Sequence, residues 1–182
     1  MGDEGPVFSK EDIEVAIGNC NFNKAIGVDW FSGKVMKKNN DIKAKLIDVM
    51  LHWLNDCCIP DYILVGKAVL FSKTGKEMAG INETRLITVR THLLKVLEKA
   101  VMFKLQEKSS DLLRVGSYQN GFTKGKSTHQ NIYRMLEIVK DGRKKIARDS
   151  ILLFVDFSKA FDKVDRRLLM EILNRRSQDA TD

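Results

Sequence analysis

A chain of 182 residues and 20.7 kDa, 43% hydrophobic and 30% charged, is long enough to bury one good core and too short for several ordinary domains. Only 2 Pro beside 12 Gly, with this apolar content, is the profile of a folded chain rather than a disordered one. Lys and Arg number 31 against 24 Asp and Glu, a formal charge of +7, which suits a polyanionic partner such as nucleic acid, a merely solubilising lysine surface being the plainer alternative.

In chain order, Met1 opens a stretch that carries Asp3 and Glu4 and lacks an apolar signal core. Ser9, followed by Glu11 and Asp12 and then Ile13, Ala16 and Ile17, predicts an N-capped short helix ending near Gly18 and Asn19. Residues 21–34 read as loop. Over residues 39–56, Ile42, Leu46, Ile47, Val49, Met50, Trp53 and Leu54 recur at helical spacing between charged residues, the clearest early helix. The three cysteines, Cys20, Cys57 and Cys58, argue against a disulfide scaffold and for a reducing, intracellular compartment. His52 lies near the Cys57–Cys58 pair, but the paired spacing of a zinc site is missing. The block reads as a helix end with two buried thiols and no structural metal.

Pro60 breaks the pattern, after which residues 68–71 form a short apolar strand entering a Ser-Lys-Thr-Gly turn, with residues 85–89 as its hairpin partner. Leu93, Leu94, Val96, Leu97, Ala100, Val101 and Leu105 predict one long helix. Residues 114–126 are rich in Gly and polar side chains. A further helix is expected from about Thr128 to Lys140, stopped by Asp141-Gly142. Ile151-Leu-Leu-Phe-Val155 is continuously apolar, as expected of a strand buried on both faces, with Asp156 at its end. Asp165 is the expected N-cap of a last helix carrying Leu168, Leu169, Ile172 and Leu173, and residues 177–182 read as a frayed end. No apolar run approaches the ~20 residues of a membrane span.

By position alone, Asp156 is either a turn-capping carboxylate or a group presented at a strand end for metal binding or catalysis. The surrounding string Phe-Val-Asp-Phe-Ser-Lys-Ala-Phe-Asp, residues 154–162, closely resembles the first catalytic motif of non-LTR retrotransposon and group II intron reverse transcriptases. Other blocks are similar to that family in the same order. They are Lys24-Ala-Ile-Gly-Val-Asp29, Ile59-Pro60, the fingers strand ending in Lys73, the Arg85-Leu-Ile-Thr-Val segment, Lys95-Val-Leu-Glu-Lys99, and Gly121-Phe-Thr-Lys-Gly-Lys-Ser-Thr128. Leu86 stands where the family usually has Pro. The Gly121 block lacks the spacing of a phosphate loop, so a P-loop NTPase is rejected.

The resemblance implies an α+β fold, largely helical with short strands: a fingers-like region over residues 1–145 and the N-terminal part of a palm over 146–182. It implies that Asp156, with the carbonyl of Phe157, binds Mg²⁺ for RNA-templated DNA polymerisation. It further implies that Lys73 and Arg85 grip triphosphate oxygens, that backbone amides at Lys159 and Ala160 face the triphosphate, and that Phe161 rejects a ribose 2′-hydroxyl. Gly121, Phe122, Lys124, Gly125, Lys126 and Ser127 would lie along the template path. A solvated surface role remains the plainer alternative for each lysine and arginine, a core role for Phe161 and a capped loop for the Gly121 block.

The implied partners are RNA or an RNA/DNA hybrid, a deoxynucleoside triphosphate, and a protein covering the incomplete palm. The family's aromatic-x-Asp-Asp hairpin has no counterpart in these 182 residues. Two expectations follow: a polymerase module whose remaining carboxylates are supplied from elsewhere, or a catalytically inactive, domesticated RNA-binding or structural subunit.

Overall fold

The computed structural model describes residues 7–75, 80, 83–108, 116, 118–145 and 151–179. The stretch before Val7, residues 114, 115 and 117 of the Gly-rich segment, and the last three residues of the expected frayed end lie outside the described residues. The chain divides into two compact units, Met1–Lys108 and Ser109–Asp182.

The first unit is a helical cluster with one hairpin. Helix α1 (Lys10–Asn19) starts at Ser9, whose Oγ accepts from the Asp12 N–H while the Asp12 carboxylate accepts from the Ser9 N–H. This reciprocal capping box satisfies two otherwise orphaned donors. A short α2 (Lys34–Lys38) interrupts the expected loop, and α3 (Asn40–Asn55) is capped by the Asn39 side chain on the Ile42 N–H. After the one-turn α4 (Asp61–Leu64), strands β1 (Lys67–Ser72) and β2 (Thr84–Val89) pair antiparallel, with Phe71 opposite Arg85 and Leu70 opposite Leu86. The predicted hairpin is therefore present. Helix α5 (His92–Lys108) is capped by Thr91, whose hydroxyl accepts from Leu94 N–H at 3.1 Å and donates to Ile63 O at 3.2 Å.

Ile13, Ala16 and Ile17 of α1 pack with Ile47, Met50, Trp53 and Leu54 of α3 and with Leu93, Leu94, Val96, Leu97 and Ala100 of α5; Met36, Ile63, Cys20 and Phe22 complete the core. The predicted stripes are trimmed at their edges. Ile42, Val49, Val101 and Leu105 are exposed, because a stripe wider than the contact surface leaves its outer rows in water. Polar ties join the same helices: Lys104 of α5 bonds Asp12 at 3.1 Å, and Lys43 of α3 bonds Glu14 at 2.8 Å.

Close backbone approach explains Gly27. A Cβ there would lie 2.7 Å from the Thr91 Cα and 2.8 Å from its N, so the loop over residues 24–29 packs against the start of α5 only because residue 27 has no side chain. Beside it, buried His92 accepts the Gly33 N–H at Nδ1, 2.8 Å away. Burial, then the charge of Lys95, lowers the imidazole pKa, with Asp29 partly opposing. The ring is the neutral acceptor this bond requires.

The second unit holds α6 (Thr128–Lys145) and α7 (Arg166–Asp179). Two expectations are corrected here. Helix α6 runs through Asp141 and Gly142, since one glycine costs a helix only ~1 kcal/mol and does not break it. Residues 151–155 form no strand and are exposed, with Ile151 95%, Leu153 86% and Phe154 82% accessible. A strand exists only where a neighbour receives its N–H and C=O groups. Among the described residues the sole sheet is β1–β2, so this apolar run has no ladder to join. A third correction concerns Cys57 and Cys58: the helix end is as expected, but both thiols are exposed, because the turn after α3 points away from the core it terminates.

No helix among the described residues is long and apolar enough to cross a membrane.

Candidate functional site

Asp156 and Asp165 stand nine residues apart and are used in opposite ways. The Asp165 Oδ1 accepts from the Arg167 N–H at 2.9 Å and the Leu168 N–H at 3.2 Å, which is the predicted N-cap of α7. The Asp156 carboxylate is exposed, and among the described residues it has no hydrogen-bond or ion-pair partner. The turn-capping alternative therefore applies to Asp165 and not to Asp156.

Asp156, Phe157, Ser158, Ala160, Lys163 and Val164 line an open cavity of about 510 Å³, within the range of small-ligand sites. Its floor is the turn over residues 158–163. The Lys159 carbonyl accepts both the Asp162 and Lys163 N–H groups at 3.1 Å, and the Lys163 ammonium donates to Ser158 Oγ at 3.3 Å. Lys159 holds the left-handed conformation, φ 53°, which costs a non-glycine residue about 1 kcal/mol. The Asp162 N–H closes this turn, in keeping with a structural place for that residue.

The Gly121 block is a string of turns running into α6. The Lys126 N–H bonds Thr123 O at 3.1 Å, and the Thr123 hydroxyl donates to Gln119 O and Gly121 O. Gly125 takes φ 78°, a natural glycine position. The Ser127 N–H is received by the Gln130 side chain at 3.2 Å, half of a capping box at the start of α6. Asn120 ties to Asn131, and the Arg134 guanidinium stacks 5.0 Å above the Tyr118 ring.

Phe122 links this loop to the carboxylate turn. Its ring is 97% exposed and held at φ 58°, and it meets the Phe161 ring edge-on with centroids 6.1 Å apart. Phe161 is itself 77% exposed, so the core alternative fails for it. Two residues 39 positions apart in sequence, one expected on the template path and one at the nucleotide, thus touch. No periodicity signals that contact, and Tyr118 and Arg134 were likewise not singled out from sequence.

In the first unit, Lys73 and Arg85 sit at the end of the hairpin where the connection between its strands begins and returns. Arg85 faces Phe71 across the ladder, and the Lys73 N–H bonds Glu83 O at 2.7 Å. Residues 73 and 85 are both exposed. Both predicted triphosphate cations thus belong to the hairpin, Arg85 within β2 and Lys73 directly after β1. Lys124, Lys126 and Ser127 share the Gly121 turns, while Asp156, Phe157, Lys159, Ala160 and Phe161 share one segment running from extended chain into a turn.

Residues 72–180 match the family model for reverse transcriptase (RNA-dependent DNA polymerase). The matched span is more than half of the chain and includes the hairpin cations, the Gly121 block and Asp156. The chain belongs to the reverse transcriptase family. No solved structure matches it. The loop over residues 24–29 precedes the matched span.

Proposed function

We propose that this reverse transcriptase domain contributes the fingers cations and the first metal-binding carboxylate to RNA-templated DNA synthesis. The observation that carries the reading is the contrast between the two aspartates: Asp165 is consumed by its helix, whereas Asp156 is exposed beside an open cavity and has no partner among the described residues. An exposed carboxylate next to a backbone carbonyl is oxygen-donor chemistry suited to Mg²⁺, which is commonly bound through one or two carboxylates, waters and substrate phosphates. Asp156 and the Phe157 carbonyl would hold it. When bound, the ion stabilises charge developing on the transferring phosphoryl group.

The chain's own residues then divide the remaining work. Lys73 and Arg85 offer charge-assisted bonds to triphosphate oxygens from the loop end of the hairpin. Phe161 stands beside the cavity as a steric wall against a 2′-hydroxyl. Lys124, Lys126 and the turn amides of the Gly121 block suit template phosphates. The 182 residues contain no adjacent Asp pair, so the further carboxylates of a two-metal reaction are supplied outside them in this reading.

The test is Mg²⁺-dependent primer extension on an RNA template by the polymerase that contains this segment. Asp156→Asn should lower the rate by at least about a hundredfold, and Phe161→Ala should admit ribonucleotides about tenfold more readily. Normal extension by Asp156→Asn would sink the reading. A second reading, an RNA-binding structural subunit, is favoured by the exposed apolar run over residues 151–155, a surface suited to a protein partner. It predicts salt-dependent RNA binding that is indifferent to Asp156→Asn.

A further inference from the structure

The end of α3 gathers metal-ligating side chains for which the polymerase reading has no use. His52 and Asp56 are one helical turn apart, and His52 Nδ1 lies 2.5 Å from Asp56 Oδ2. After Asp56 the backbone doubles back: Cys57 takes φ 52°, the Asp56 N–H bonds His52 O, and the Cys58 N–H reaches Trp53 O, both at 3.0 Å. This is the six-to-one bond of a Schellman turn, with a cysteine in the left-handed position that glycine usually fills. Its consequence is geometric. Cys58 is returned alongside the last helical turn, and ligand atoms of His52, Asp56 and Cys58 all lie within 4.8 Å of one another.

We propose that His52, Asp56 and Cys58 form a binding site for a thiophilic divalent cation, Zn²⁺ foremost. A tetrahedral ion with Zn–S of about 2.3 Å and Zn–N or Zn–O of about 2.0–2.1 Å needs its donors roughly 3.3–3.6 Å apart. Side chains this exposed reach that spacing by rotamer adjustment without moving the core, the His52–Asp56 pair opening and any wider pair closing by about an ångström.

The donor set decides the metal class. Sulfur and imidazole select zinc-like ions over Mg²⁺, so this site is chemically distinct from the oxygen donors at Asp156. On binding, the Cys58 thiol gives its proton to solvent, and one thiolate with one carboxylate then balances the 2+ charge. The carbonyl end of α3 adds its partial negative potential. Three protein ligands leave a fourth position for water or for a ligand from a partner. Cys57 is outside the group: its Sγ contacts Leu54 O at 3.9 Å, which makes it an internal control.

The experiment is Co²⁺ titration of the reduced full chain, followed by Zn²⁺ displacement against a chromophoric chelator. A thiolate-to-cobalt charge-transfer band should appear in the wild type and in Cys57→Ser. It should vanish in Cys58→Ser, and affinity should fall at least about tenfold in His52→Ala. Zn²⁺ should also slow alkylation of Cys58 and leave Cys57 unprotected, a readout that needs no variant. Absence of the band in the wild type, its survival in Cys58→Ser, its equal loss in Cys57→Ser, or displacement by excess Mg²⁺ would each overturn the proposal.

Discussion

Replacing Gly27 by alanine tests whether the loop over residues 24–29 is held by backbone contact with the start of α5. The new Cβ would lie 2.7 Å from Thr91 Cα, 2.8 Å from Thr91 N and 3.1 Å from Arg90 C, whereas carbon atoms rest about 3.5–4.0 Å apart. All three neighbours are main chain, so relief requires a backbone shift of almost an ångström. Thr91 cannot shift freely, because its hydroxyl bonds both Ile63 O and Leu94 N–H in the buried cap of α5. Overpacking of this kind costs about 1–3 kcal/mol, and each strained hydrogen bond adds up to about 1 kcal/mol. The stiffer unfolded chain returns about 0.4–1 kcal/mol. The net expectation is a destabilisation of about 1–3 kcal/mol, or roughly a 1 M fall in the urea midpoint at an m value of about 2 kcal/mol/M. Fluorescence of Trp53, buried in the core, reports the transition. Gly18→Ala is the paired control: a Cβ there meets nothing within 4 Å in α1, so it should stabilise by about 0.5–1 kcal/mol. A Gly27→Ala midpoint equal to or above that of the wild type would refute the packing argument.

Three further outcomes are expected. Because the folded pKa of His92 is depressed by burial, the unfolded state binds the extra proton first. Stability should therefore fall as pH drops below the free imidazole value of about 6.5, and His92→Gln should flatten that slope in urea titrations at successive pH values. Burial also raises the Cys20 thiol pKa, with Lys99, Lys37 and Lys95 only partly opposing. Ellman titration of the apo chain should modify the exposed Cys57 and Cys58 quickly and Cys20 only on unfolding; fast reaction of all three would contradict the burial. Asp165→Ala should cost α7 about 1 kcal/mol, read as faster hydrogen exchange of the Arg167 and Leu168 amides, while Asp156→Ala should leave that exchange unchanged.

How far the sequence reached depended on whether the causes were local. The Ser9 and Asp165 caps were legible because a cap joins side chains and amides within three residues of each other. The α1, α3 and α5 stripes followed from the 3.6-residue period, and the hairpin from strand and turn composition. Ordered motifs carried the family assignment, which the match over residues 72–180 supports.

Tertiary structure decided what depended on distant neighbours. The apolar run over residues 151–155 has strand composition, yet no ladder partner receives it among the described residues, so it stays exposed. Gly142 looked like a stop, but its modest helix penalty left α6 running. Cys57 and Cys58 looked like core, and a left-handed Cys57 instead turned Cys58 back towards His52 and Asp56. The edge-on contact of Phe122 with Phe161, like the close approach of Gly27 to Thr91, joins residues far apart in the chain. Periodicity and composition describe a residue's near neighbours; which remote atom stands opposite it is fixed only when the chain closes on itself.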